Sequence, residues 1–392
     1  MVEPDENLAP SMPGPRLLIL GHCDVSIWGM TIEERHMRAF RRATMHQTES
    51  TGGGTVIIRA DYILGEDLVR RLTESEGVIL AIPGTDPASM IAVAAHAGSQ
   101  KVADVRAIVA HEVDCESDQI PDGIRILNPS ELGSEYNRPL RKRVAPLVLS
   151  ANDTPIENIE RVTFDAVYKG ATDFVTKWVW PVPARWVTRW AAARKITPNT
   201  VTTFSLGLVV LAALLFAQGN FLVGIAVAWA MTFLDTVDGK LARVTLTSSR
   251  WGNIYDHGID LIHPPFWWWA WWYGLKESSV QGMTPELEWA LGIIIIGYVV
   301  GRLMEGVFKL FFGIETHIWR PVDSYFRTIT ARRNPNLAIL MVATLAGRPD
   351  LGFLAVAGWT IFSLIFHAAR IFAAAWVRAS GGEIRSWMNE PS

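Results

Sequence analysis

Cysteine is nearly absent from this chain of 392 residues. Only Cys23 and Cys115 are present, both in its more polar first half. Two thiols so placed do not make a disulfide framework. Charge is also scarce, at 19% of residues, and the formal net charge of −3 gives no reason to expect a nucleic-acid partner. The first residues, Met1–Pro15, lack the basic and apolar regions of a secretory signal. They are acidic and Pro-rich, and are expected to form a short disordered lead that stays in the cytoplasm.

Apolar residues, by contrast, make up 49% of the chain, with 17 Trp against 7 Tyr. Their distribution is uneven. Charge is concentrated before about Lys195 and long apolar runs fill the rest, so a soluble α/β half followed by an all-α membrane half is expected. A bilayer-spanning helix needs roughly 20 mostly apolar residues. The candidates are Pro198–Ala217, Phe221–Asp235, Asp260–Leu275, Leu287–Phe312, Leu337–Ala346 and Leu351–Val377, a six-helix transmembrane domain over residues 197–380 with a tail at 381–392. With the soluble half inside, the inner loops carry Lys240, Arg243, Arg250, Arg320, Arg327, Arg332 and Arg333, and the outer loops only Lys276 and Arg348. That bias follows the positive-inside rule and predicts a multi-pass protein of the inner (cytoplasmic) membrane, its soluble half facing the cytoplasm. Ahead of the first span, Trp178, Trp180, Trp186 and Trp190 alternate with Lys177, Arg185, Arg189 and Arg194, and Pro181 and Pro183 interrupt the run. Residues 166–196 therefore read as an interfacial amphipathic segment. Thr197 and Pro198 supply an N-cap and a first-turn proline for the helix that follows.

Four aspartates stand out between the second and third spans. Asp235 and Asp238 are three apart, Asp256 and Asp260 four apart, so each pair shares a helix face. Clustered near lipid, four carboxylates require divalent cations to neutralise them, and all-oxygen ligands suit Mg²⁺ or Mn²⁺. Gly239 and Gly252 remove side chains where a substrate or facing backbone approaches. Arg243 adds a guanidinium fork suited to phosphate. Asp235, Asp238, Gly239, Ala242, Arg243, Gly252, Asp256 and Asp260 together fit D-x2-D-G-x2-A-R-x8-G-x3-D-x3-D without a departure.

In this signature the chain resembles the CDP-alcohol phosphotransferase (CDP-alcohol phosphatidyltransferase) family. The resemblance implies transfer of a CDP-linked phosphoryl group to an alcohol with release of CMP, in phospholipid biosynthesis. It implies two metal ions, one on Asp235, Asp238 and Asp256 and the other on Asp235, Asp256 and Asp260, with Asp260 deprotonating the attacking hydroxyl. It further implies nucleotide contacts at Asn199, Thr200, Val201, Thr202 and Ser249, and a homodimer. Relatives that use phosphorylated inositol place arginines in regions matching Arg332, Arg333 and Arg370; these are candidates for an anionic acceptor, with positive-inside anchoring as the alternative. CDP-diacylglycerol is the expected donor; the alternative is a soluble CDP-alcohol such as CDP-inositol, in an enzyme bifunctional with a cytidylyltransferase. A divalent-cation transporter is a distant third reading. Transporter sites usually lie near the bilayer midplane between internal repeats, whereas these aspartates lie at the inner interface and no repeat is apparent. Arg302 and Glu305, three apart, are expected to neutralise one another. His257 and His263, beside the signature, and the WWWAWW run from Trp267 to Trp272 are expected to be structural.

Residues 16–165 read as a parallel α/β unit. Arg16–Gly21, Thr55–Ala60 and Gly77–Pro83 are strand-like, while Thr31–Ala43, Glu66–Thr73 and Ala88–Ala97 are patterned segments between or after them. The unit weakly resembles the cytidylyltransferase domains fused to some family members, and Asp61 stands where such enzymes keep a metal-binding Asp. The glycine-rich basic loop expected after the first strand is replaced by GHCDVSIWGM, and Gly52-Gly53-Gly54 precedes a strand, where it reads as a flexible turn. The unit is thus a degenerate, nucleotidyltransferase-like domain. The full chain is expected to make no CDP-alcohol from CTP and an alcohol phosphate; pyrophosphate release from that mixture would overturn this reading.

Overall fold

In the computed structural model the described residues are 14–45, 53–84, 89–111, 115, 120–133, 136–137, 140–278 and 284–389. The lead before Gly14, Gly52 and the last three residues lie outside them. The chain divides into two compact units: Met1–Asn137 with Val144–Ala166, and Arg138–Arg143 with Val167–Ser392.

The first unit holds a five-stranded sheet. Its strands are β1 (Arg16–Leu20), β2 (Thr55–Arg59), β3 (Val78–Pro83), β4 (Met90–Ala97) and β5 (Arg125–Leu127), in the spatial order β1-β2-β4-β3-β5. β1 and β2 run parallel, as do β3 and β5, but β4 is antiparallel to both of its neighbours. The sheet is therefore mixed, not parallel. The difference arises at MIAVAAHA, whose alanines suit a helix in isolation. As the central strand it is buried from Ala92 to Ala97 and hydrogen-bonds on both edges, and that pairing overrides propensity. Ile57, Ile79, Ala81 and Ala95 pack with Val105 and Ile108 to form this core.

Helix α1 (Ile32–Thr44) begins where the Thr31 hydroxyl accepts the Glu34 N–H at 3.2 Å, with acidic residues in its first turn and basic residues in its last. Helix α2 (Glu66–Glu74) follows the short strand Tyr62–Leu64, which pairs antiparallel with Val148–Ser150. Helices α3 (Val102–Val109) and α4 (Ile156–Ala166) complete the unit. The loop after β1 forms a two-residue hairpin: Trp28 and Gly29, at φ 53° and 70°, join the pair Ser26–Ile27 to Met30–Thr31. Trp28 is 2% exposed, stacks on Phe164 and donates its indole N–H to Thr163 Oγ1 at 2.9 Å. The buried tryptophan fills this loop. Asp61 accepts both forks of Arg59, at 2.9 and 2.6 Å.

The second unit is helical. A π-helical turn, Val175–Val179, leads into α5 (Pro181–Ala193), with Pro181 in its first turn. Trp178, Trp186 and Trp190 are exposed. Trp180 instead turns inward onto Trp229 and Phe233, so only three of the four tryptophans face outward. The long helices are α6 (Pro198–Ala217), α7 (Phe221–Val244), α8 (Arg250–Ser278), α9 (Pro285–Phe312) and α12 (Pro349–Ala379), with the shorter α10 (Pro321–Arg327) and α11 (Arg333–Leu345) between the last two. Thr197 caps α6 through the Thr200 N–H at 3.2 Å.

Four of these helices, α6, α7, α9 and α12, are long and apolar enough to cross a membrane, against the six expected. α11 has 13 residues, about 20 Å of helix where the hydrocarbon needs about 30 Å. α8 is long, but polar residues fill its first half and tryptophan much of its second. Trp267, Trp268 and Trp271 are fully buried in the core, Trp267 donating to Val209 O at 2.9 Å, while Trp269 is exposed. Gly274 lets α8 meet the end of α6, because a Cβ there would lie 1.9 Å from Phe216 O.

His36 generates a pH prediction for the α/β unit. Its Nε2–H donates to Tyr62 O at 2.8 Å, its Nδ1 is buried without a partner, and burial pushes its pKa down to about 4. A depressed histidine pKa stabilises fully above the unfolded value of about 6.5, and that stability is lost as pH falls from there toward 4. Between pH 7.5 and 4 the loss is about 3 kcal/mol. Thermal unfolding of the full chain in detergent should show this slope, and His36→Gln should flatten it.

Candidate active site

Both aspartate-bearing helices pack against α6, and only the short connection Thr245–Ser249 separates them. Asp235 and Asp238 lie on one face of α7, Asp256 and Asp260 on one face of α8. Asp235, Asp238 and Asp256 each bring a carboxylate oxygen within 4.8 Å of the other two. Asp238 is 3% exposed; its Oδ2 accepts the Thr202 hydroxyl of α6 at 2.6 Å, and its Oδ1 is buried without a partner. An orphaned buried carboxylate oxygen beside two more carboxylates stays ionised stably only with a cation among them. Oxygen donors alone select a hard ion, so the residues fit Mg²⁺ or Mn²⁺.

Asp260 stands outside that triad. Its Oδ1 accepts Arg333 Nη1 at 2.5 Å, while Nη2 of the same guanidinium reaches Asp235 Oδ2 at 2.6 Å. Arg333, in the first turn of α11, thus bridges one aspartate of each pair. The set Asp235, Asp256 and Asp260 is not brought together as a ligand group among the described residues. Arg333 instead bridges Asp260 to Asp235 through its two terminal nitrogens.

The nucleotide candidates divide. Asn199 and Ser249 converge on Gly252, where a Cβ would lie 2.9 Å from Asn199 Oδ1 and 3.1 Å from Ser249 Oγ. Ser249 Oγ also accepts the Gly252 N–H at 3.0 Å, capping α8. Gly239 lies under the Arg243 fork, whose nearest nitrogen would be 3.1 Å from a Cβ. Thr200 bonds to the Thr197 cap, Val201 is buried, and Thr202 serves Asp238.

The three arginines expected to line an acceptor pocket are held by different carboxylates. Arg333 joins the aspartates, Arg332 pairs with Glu305, and Arg370 grips Asp323 through two bonds of 2.5 and 3.1 Å while lying over Trp319. Arg302 is 3.7 Å from Glu305, but the glutamate also faces His317 at 3.4 Å and His367 at 3.7 Å, so it neutralises a larger cluster than the expected pair. His257 lies 3.5 Å from Asp256, and His263 is buried, bonded to Ile259 O. Sequence reasoning missed the partnership of Arg333 with the aspartates, and that of Thr202 with Asp238. The available signal was position: both start apolar helices at the depth of the aspartates.

Residues 195–323 match the family model of the CDP-alcohol phosphatidyltransferases. That stretch is a CDP-alcohol phosphatidyltransferase domain. It contains all eight signature residues. The chain is 37% identical over 70 residues to the phosphatidylinositol phosphate synthase of Streptomyces avermitilis, covering 18% of this chain and 29% of that one. It is 27% identical over 165 residues to a bifunctional IPC transferase and DIPP synthase of Rubrobacter xylanophilus, covering 41% and 34%. A solved phosphatidylinositol phosphate synthase from Mycobacterium tuberculosis, with CDP-DAG bound, aligns with 48% of this chain and 93% of its own at 18% identity and a TM-score of 0.39. The chain spans at most half the length of the curated relatives it matches. With its apolar helices, the CDP-alcohol phosphatidyltransferase domain is that of an integral membrane protein.

Replacing Arg333 by Gln leaves the half-buried Asp235 and the more exposed Asp260 without their counter-charge, which destabilises by about 1–3 kcal/mol. A divalent cation replaces that charge, so Mn²⁺ should raise the melting temperature of Arg333→Gln more than that of the wild type. Equal Mn²⁺-dependent shifts would count against the bridging role.

Proposed function

We propose that the protein is a metal-dependent CDP-alcohol phosphotransferase that moves a phosphatidyl group from CDP-diacylglycerol to an alcohol and releases CMP. The observation that supports this most directly is the Asp235, Asp238 and Asp256 triad, with its orphaned oxygen, inside the family-matched residues. These three residues would hold a divalent cation, whose chemistry is to neutralise charge on the attacking and leaving oxygens of an in-line displacement. A second ion, as the resemblance implies, needs the Asp260 carboxylate, which Arg333 holds.

The side chains supply the rest. Thr202 orients Asp238 by donating to Oδ2, so the other oxygen faces the triad. Asn199 and Ser249 flank Gly252, where absence of a side chain leaves room for these two polar groups, and they contact the nucleotide. Arg243 directs its fork at donor phosphate. Asp260 accepts the proton of the acceptor hydroxyl, and Arg333 fixes that carboxylate by one oxygen. The acceptor is an anionic polyol such as inositol phosphate, in keeping with the named activity of the Streptomyces relative. Arg332 and Arg370 reach it only by exchanging the carboxylates they now hold. The active site faces the cytoplasm, where soluble acceptors and CMP are handled. A second reading, a soluble CDP-alcohol donor, is favoured by the likeness to the bifunctional Rubrobacter enzyme.

The test is CMP release by the purified protein in lipid, with CDP-diacylglycerol and soluble CDP-alcohols tried against a panel of alcohols. Asp238→Asn and Asp256→Asn should each lower the rate by at least about 100-fold while the protein still inserts. Chelation should abolish turnover, and Mg²⁺ or Mn²⁺ should restore it. Near-normal CMP release by either variant, or after exhaustive chelation, would sink the mechanism.

A further inference from the structure

Three cations near the aspartate triad are enclosed without an ion-pair partner among the described residues: Lys169, Lys240 and Arg243. Lys240 follows Gly239 on α7, is 3% exposed, and holds its Nζ 3.5 Å above the ring of Tyr168. Lys169 is the next residue along from that ring, with Arg141, Arg243, Asp235 and Asp256 as charged neighbours. Its backbone is held in place. The Gly170 N–H donates to Leu140 O at 2.8 Å, and a Cβ on Gly170 would lie 2.2 Å from Arg141 O. Arg141 pairs with Glu315 at 2.5 Å.

Enclosing an ammonium without a counter-ion is costly, and a cation–π contact offsets only part of that cost. The nearby aspartates would be neutralised by the divalent cation they hold, leaving Lys169, Lys240 and Arg243 as surplus positive charge at the same place. Burial, with Arg243 and Arg141 nearby, also lowers the Lys169 pKa, as expected where the balancing anion is not part of the chain.

We infer that Lys169, on the segment Val167–Gly170 ahead of the family-matched residues, binds a phosphate ester of the substrate, and that Tyr168 on Lys240 positions it. The inference rests on the phosphotransfer reading. It adds a binding residue outside both the signature and the matched stretch. Two sources share this chemistry, the diphosphate of the donor and the phosphate of a phosphorylated acceptor.

Initial rates of CMP release by the full chain, with donor and acceptor varied separately, distinguish them. Lys169→Met should raise the KM of one of the two about tenfold, as expected for a lost charge-assisted bond, with kcat within about threefold of wild type. Lys169→Arg should recover most of the loss. A raised donor KM assigns the diphosphate, and a raised acceptor KM assigns the acceptor phosphate. Unchanged KM for both, or a fall in kcat alone, overturns the inference. Calorimetric titration with inorganic pyrophosphate separates this result from failure of the phosphotransfer reading, since it needs no turnover. Binding about tenfold weaker in Lys169→Met than in the wild type supports the diphosphate assignment; equal binding together with an unchanged acceptor KM overturns the inference. If Lys169→Met fails to fold, Lys169→Gln is measured in the same two ways.

Discussion

Three carboxylates approach within 4.8 Å in an apolar helical unit, and like charges that close in a medium of low polarity repel strongly. Everything around them answers that repulsion. Arg333 draws Asp235 and Asp260 to its two nitrogens, Thr202 takes one oxygen of Asp238, and the other oxygen of Asp238 is left for a cation. α6 has to start beside the aspartates for Thr202 to reach, and α11 has to begin with its guanidinium at the same depth. The helix starts are thus arranged around charge, while aromatic packing of Phe216, Trp267 and Trp271 holds the far ends of α6 and α8 together.

A second polar cluster uses the same device. Glu305 draws Arg302 and Arg332 and faces His317 and His367. Arg332 and Arg333, adjacent in sequence, therefore serve different carboxylates. An extended residue at 332, just before α11 begins, sends the two side chains in different directions. This divides the arginines that sequence reasoning had placed in one pocket.

The α/β unit differs in kind. Its sheet is well packed, but its hairpin loop encloses Trp28 where a nucleotidyltransferase keeps an open phosphate loop, and Asp61 is held bidentately by Arg59.

By itself the sequence determined the chemistry that depends on spacing along one helix. Three- and four-residue intervals put each aspartate pair on a common face whatever surrounds it, because helix geometry is local. It also determined the glycines at close approaches and the Thr197–Pro198 start of α6, again local effects. Which carboxylates meet was decided only in three dimensions, since that depends on where α7, α8 and α11 lie around α6. The same holds for Met90–Ala97: its alanines suit a helix, and only pairing with strands on both sides made it the centre of a sheet. Long-range charge and edge pairing leave no periodic trace in a single sequence, so the partners of Arg332, Arg333 and Arg370 were set by tertiary structure.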